Sequence, residues 1–127
     1  MTGPVAASYH PFVGMKGLPF SEAVQVGNLL FLSGQIGLDT DGKLVPGGIG
    51  PETRRTLENI RAVLERHGSS LDRIVKVTVM LADIKEWGEM NVEYTKAFTG
   101  NLPARSAFGT TGLALGARVE IECVALG

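Results

Sequence analysis

With a single cysteine, Cys123, in 127 residues, the chain cannot form an internal disulfide, and a reducing, cytoplasmic compartment is expected. Histidine is scarce too. His10 falls in an N-terminal stretch and His67 at a helix end, which gives no metal-ligand set. Aromatic residues number five Phe, two Tyr and one Trp, and the charges nearly cancel at a net −1. A nucleic-acid surface needs clustered positive charge interleaved with exposed aromatics, so this composition argues against RNA or DNA as the main partner. No uninterrupted apolar run approaches the length of a membrane span, so no membrane association is expected. Met1 to Gly17 also lacks the basic and apolar regions of a secretory signal.

What is present is the composition of a globular domain, 44% apolar and 20% charged, at a length suited to one core. Residues 1–18 have prolines, glycines and no period, and are predicted to be an irregular arm ahead of a single domain over 19–127. Ala23–Val26 and Leu29–Ile36 flank Gly27-Asn28, a dipeptide suited to a tight hairpin turn. Pro51 and Glu52 suit the first turn of a helix carrying Leu57, Ile60, Val63 and Leu64 at three- and four-residue spacing, with Gly68 positioned to end it. Along that segment Arg54, Arg55, Arg61 and Arg66 alternate with Glu52, Glu58 and Glu65, the pattern of a solvated helix face.

Ile74–Leu81 is rich in β-branched residues and reads as a strand, one face being Val75, Val77, Val79 and Leu81. Asp83 and Glu86 form a capping-box variant before a second helix whose apolar stripe is Trp87, Met90, Tyr94, Ala97 and Phe98. Two further strands are predicted over Arg105–Thr111 and Ala117–Leu126. The order β-β-α-β-α-β-β describes an α/β (α+β) mixed sheet with two helices packed on one face. Lys76, Thr78, Met80, Glu120, Glu122 and Val124 are then left on the other face. Association between copies is the expected way to cover it.

The chemistry-bearing segments are Pro103-Ala104-Arg105-Ser106 and Val119-Glu120-Ile121-Glu122. A guanidinium grips a carboxylate through two parallel hydrogen bonds, and a partly desolvated Glu orients or deprotonates water. A simple hairpin puts Arg105 opposite roughly residue 122, whereas a bulge at Gly109 or Gly112 brings Glu120 across instead. The plain alternatives are that Arg105 pairs with Glu120 or Glu122 across that hairpin as a structural ion pair, or that the two glutamates are solvated outward positions of an alternating strand. Ser33 and Ser106 have no evident His-Asp partners for nucleophilic catalysis, and Cys123 alternates with Val119 and Ile121 as a buried small hydrophobe.

Pro19-Phe20-Ser21-Glu22-Ala23, Val26-Gly27-Asn28, Ser33-Gly34-Gln35-Ile36-Gly37, Thr56-Leu57-Glu58-Asn59-Ile60, Val75-Lys76-Val77-Thr78-Val79 and the two segments above resemble, in order and spacing, the Rid (YjgF/L-PSP) family. The resemblance implies a chorismate-mutase-like fold and a homotrimer with clefts between subunits. It also implies hydrolysis of reactive enamines and imines, such as 2-aminoacrylate, to 2-keto acids and ammonia without metal or organic cofactor.

Carried over position by position, Arg105 binds the carboxylate of a small substrate and Glu120, in preference to Glu122, positions water. Ser33 and Gly34 border the substrate, with Gly34 offering backbone groups to its nitrogen, and Asn91 lies near the cleft. Phe20 stands where many family deaminases have Tyr, and Ala107 where many have Cys, changes compatible with a larger or less polar acid. The alternatives are an enzyme similar to 2-aminomuconate deaminase, a non-catalytic metabolite-binding trimer, and the endoribonuclease activity associated with some relatives.

Overall fold

The computed structural model describes residues 4–127. Its elements are β1 (Ala7–His10), β2 (Ala23–Val26), β3 (Leu29–Gln35), α1 (Ile49–Arg66), β4 (Ile74–Leu81), α2 (Trp87–Ala97), β5 (Ala104–Gly109) and β6 (Val119–Leu126). The strands make one sheet in the order β1-β2-β3-β6-β4-β5, parallel between β4 and β5 and antiparallel elsewhere.

Both helices lie on one face. Leu57, Ile60, Val63 and Leu64 of α1 and Met90 and Tyr94 of α2 join Leu30, Leu32, Val77, Val79, Leu81, Val119, Ile121 and Cys123 of the sheet in a common core. Each Leu or Ile so removed from water contributes roughly 1.5–3 kcal/mol. At the start of α1, Glu52 is buried and its Oε1 accepts from the backbone N–H of Arg118 at 2.9 Å, tying the helix to the approach to β6. The helix begins two residues earlier than Pro51, which still lies in its first turn. It stops at Gly68, whose φ of 76° lies in the left-handed region.

Four expectations are corrected. Within the segment expected to be an irregular arm, Ala7–His10 pairs with β2 as an edge strand; the first three residues of that arm lie outside the described residues. The strand is short and largely exposed, so no apolar alternation announces it. Second, the order therefore gains a strand and reads β-β-β-α-β-α-β-β.

Third, Val75 does not share the inner face with Val77. The register shifts between Ile74 and Lys76, so Ile74 turns inward and Val75 is exposed. Fourth, β5 and β6 are not a hairpin, because β4 lies between them. The connection over residues 110–118 passes the end of β4, where Thr110 donates to the Leu81 carbonyl at 2.8 Å and Ala82 donates to the Arg118 carbonyl at 2.9 Å. That segment is long enough to cross the roughly 10 Å between next-but-one strands.

The sheet's other face carries the side chains foreseen for it. Lys76 pairs with Val124, Thr78 with Glu122 and Met80 with Glu120, away from the helices. Phe31 joins them, 41% exposed. A shallow depression of about 390 Å³ on this face is bordered by Phe31, Lys76, Thr78, Glu122 and Val124.

Candidate functional site

Arg105 sits on β5 at the edge of the sheet. Its partner across the parallel ladder is the inward-facing Val77, so the side chain projects to the helix side. There Nη1 donates to Asn91 Oδ1 at 2.7 Å, and the guanidinium carbon lies 4.7 Å from the Tyr94 ring centre and 5.3 Å from that of Trp87. Trp87, Asn91 and Tyr94 recur at helical spacing along α2 and wall the guanidinium on one side. Both ring distances are within cation–π range. Among the described residues no carboxylate pairs with Arg105, which removes the reading of it as a structural ion pair with Glu120 or Glu122.

A half-buried guanidinium held by a neutral amide keeps its charge and most of its donors for something else. The next residue faces the opposite way. Ser106 Oγ accepts from Lys76 Nζ at 3.1 Å on the other side of the sheet. Ala107, aligned with Val79, leaves no thiol beside Arg105.

Glu120 lies on the face away from the helices, on β6 and two strands from Arg105. Its side chain crosses Gly34 so closely that a Cβ there would overlap the carboxylate, with Glu120 Cδ only 2.9 Å away. Gly34 falls where the β3–β6 register shifts between Leu32 and Gln35. The irregularity and the missing side chain together open a seat for the carboxylate. Burial, and after it the charge of Glu122 on the same face, raises the Glu120 carboxyl above its ordinary value of 4.5. Glu122 itself is exposed.

Ser33 adjoins Gly34, but its hydroxyl is already committed, donating to the Ser21 carbonyl at 2.6 Å. Phe20, next to Ser21, is 50% exposed and packs edge-on against Phe12 with ring centres 5.5 Å apart. The expected site residues therefore fall into two groups. Arg105 and Asn91 meet at the β5 edge. Gly34 and Glu120 meet on the opposite sheet face, with Ser33 and Phe20 beyond them.

Trp87 and Tyr94 escaped the sequence reading as site residues because their helical spacing also fits a core stripe. The signal that separates the readings is Asn91, a polar residue between them at matching spacing. Cys123 is buried, and burial followed by the Glu122 charge pushes its thiol up to about 12. Among the described residues no group of three or more His, Cys, Asp or Glu side chains could hold a metal ion.

A mixed sheet covered on one face by two helices, with an arginine at its edge that has no acidic partner among the described residues and a carboxylate seated over glycine on its bare face, is an α+β domain with polar groups exposed on both sides. Residues 16–127 match the family described as Endoribonuclease L-PSP. The chain belongs to that family.

It is 44% identical over 109 residues to the mouse protein named 2-iminobutanoate/2-iminopropanoate deaminase, covering 85% of this chain and 81% of the relative. A solved structure of a Rid-family protein from Yersinia pestis superposes with a TM-score of 0.86 at 37% identity, covering 96% of this chain and all of that one (100%). The structure of TdcF from E. coli with bound serine superposes with a TM-score of 0.81 at 27% identity, covering 94% of this chain and 93% of that one. No helix among the described residues is long and apolar enough to cross a membrane.

Proposed function

We propose that this protein is a cytoplasmic, homotrimeric enamine/imine deaminase that hydrolyses 2-aminoacrylate-type intermediates to 2-keto acids and ammonia. The observation that carries this reading is Arg105: desolvated against Trp87 and Tyr94, oriented by Asn91, and without an acidic partner among the described residues. Such a group suits the carboxylate of a small acid. The relatives' deaminase names and the serine held by the E. coli protein support the same substrate class.

Within one chain Arg105 and Glu120 occupy opposite faces of the sheet and cannot converge on a molecule the size of an imino acid. The site is therefore composite, with Arg105 of one copy facing Gly34 and Glu120 of another across a subunit cleft. The bare sheet face, with Phe31 and Val124 amid polar neighbours, is the surface that association covers.

The reaction runs on the protonated imine, which an enamine reaches by tautomerisation in water. Arg105 fixes the carboxylate and the Gly34 backbone borders the nitrogen. Water held by Glu120 attacks the imine carbon, forming a C–O bond while the π electrons move to nitrogen, and Glu120 accepts a water proton. That proton passes to the nitrogen; as the C–N bond breaks, the hydroxyl oxygen's electrons form the C=O bond and its proton goes to Glu120, leaving a 2-keto acid and ammonia, which carries the proton away as ammonium. A carboxylate with a raised pKa suits both halves of this transfer, because accepting and returning the proton are then closer in energy.

Two fixed groups and an oriented water replace a bimolecular encounter. No step uses a metal or organic cofactor. A near-neutral chain with few aromatics favours a small acid over RNA.

The test generates 2-iminopropanoate in situ and follows its disappearance and keto-acid release against buffer. The protein accelerates both, and Arg105→Ala removes the acceleration while the variant keeps the wild-type far-UV spectrum and assembly. A wild-type rate equal to that in buffer contradicts the proposal.

A further inference from the structure

Two stretches of backbone frame the seat of Glu120. On β6, Arg118 precedes it by two residues. On the neighbouring strand, Ile36, Gly37 and Leu38 continue the chain beyond Gly34 and Gln35. The β3–β6 ladder ends where Gln35 faces Ile121, one residue short of Glu120. Past that point the holding falls to α1.

Residues 52 and 59 of α1 lie two turns apart on one face of the helix. Glu52 Oε1 accepts from the Arg118 N–H at 2.9 Å, on the β6 side of the seat. Asn59 Nδ2 donates to the carbonyls of Ile36 and Leu38, each at 3.0 Å, on the β3 side, and Arg55 Nε adds a bond to the Leu38 carbonyl at 2.9 Å. Between those two carbonyls, Gly37 is buried and so close to the helix that a Cβ on it would stand 2.9 Å from the Glu52 backbone oxygen. The end of β3 is thus seated directly on the first turn of α1. Taking the Glu52 side chain out of water for one peptide N–H returns little net stability; what it fixes is position.

We propose that Glu52 and Asn59 are positioning residues for Glu120: acting through backbone from the helix side of the sheet, they fix the two strand ends that set where its carboxylate holds water. This deepens the function proposed above and rests on it. Arg105 takes its support from α2 instead, through Asn91. Loss of either α1 side chain therefore falls on delivery of water and spares recognition of the substrate carboxylate.

The experiment measures kcat and KM for 2-iminopropanoate generated in situ, with thermal melts on the same samples, for Glu52→Ala, Glu52→Gln, Asn59→Ala and Ser69→Ala. Ser69 is the control, because its buried hydroxyl donates to the Leu126 carbonyl at 2.6 Å, a bond of the same kind at the far end of β6. Glu52→Ala and Asn59→Ala are expected to lower kcat by about tenfold or more with KM within about twofold of wild type. Glu52→Gln keeps an acceptor for the Arg118 N–H and is expected to hold kcat within about twofold of wild type. Ser69→Ala is expected to melt lower and to keep its kcat. Where Glu52→Ala fails to fold, Asn59→Ala decides the question. Alanine variants that lose stability but keep kcat, or a fall in kcat as large in Ser69→Ala, overturn the positioning role while leaving the deaminase reading intact. A wild-type rate equal to that in buffer overturns both.

Discussion

Glu120 rests across Gly34, in space that any other residue's Cβ would occupy. The obstruction would fall on the end of a flexible side chain rather than on backbone, so Gly34→Ala is expected to swing the carboxylate aside at little cost in stability. Displacing a group that holds attacking water by about an ångström can cost on the order of 10²-fold in rate. The expected result is a fall in kcat of about that size, with a melting temperature within roughly 2 °C of wild type.

The same carboxylate links activity to stability. Its pKa is raised in the folded chain by burial and by Glu122, so the folded protein binds the proton more tightly than the unfolded one. The proton's stabilising contribution is fully present at pH below the ordinary value and is lost as pH rises through that value towards the raised one. Glu120→Gln is neutral throughout. Its melting temperature is expected to match wild type most closely in acid, to exceed it as pH rises through the ordinary carboxyl value towards the raised one, and to keep a constant margin above that, while catalysis is abolished. Parallel thermal melts across that range, with an assay at neutral pH, check both halves.

Arg105→Lys keeps the charge but loses the planar pair of donors and the ring contacts with Trp87 and Tyr94. Its kcat/KM is expected to fall about 10²-fold. Asn91→Ala, which frees the guanidinium to rotate, is expected to raise KM by roughly tenfold with a smaller change in kcat. Steady-state kinetics on the two variants distinguish lost recognition from lost positioning.

Cys123 is expected to be inert. Buried on β6 with its thiol pushed up to about 12, it should not react with an aromatic disulfide reagent at mild alkaline pH until the protein is unfolded. Thiol titration with and without denaturant measures this directly.

Much of this fold was legible because its elements carry local signals. Leu57, Ile60, Val63 and Leu64 mark α1, Gly27-Asn28 marks the β2–β3 turn, and the alternation of Val119, Ile121 and Cys123 marks β6. Pairing was not legible in the same way. β5 and β6 are consecutive strands, and nothing local in Arg105–Thr111 reveals that β4, earlier in the chain, lies between them. The parity of Arg105 and Glu120 depends on that insertion, which places them on opposite faces.

β1 is hidden for a different reason. An edge strand without a buried face leaves no period to read. The residue types at the candidate site followed from the sequence and its family resemblance, whereas the aromatic wall around Arg105 required the packing of α2.

Arg105 and Glu120 are proposed to act on one substrate from two copies of the chain. Arg105→Ala and Glu120→Ala homo-oligomers, each inactive, are to be unfolded together in equal amounts, refolded, and assayed after co-assembly has been verified with two affinity tags. Random mixing leaves about one cleft in four with both wild-type residues, so recovery of about a quarter of wild-type activity is expected. Verified mixed oligomers as inactive as either parent would contradict the account.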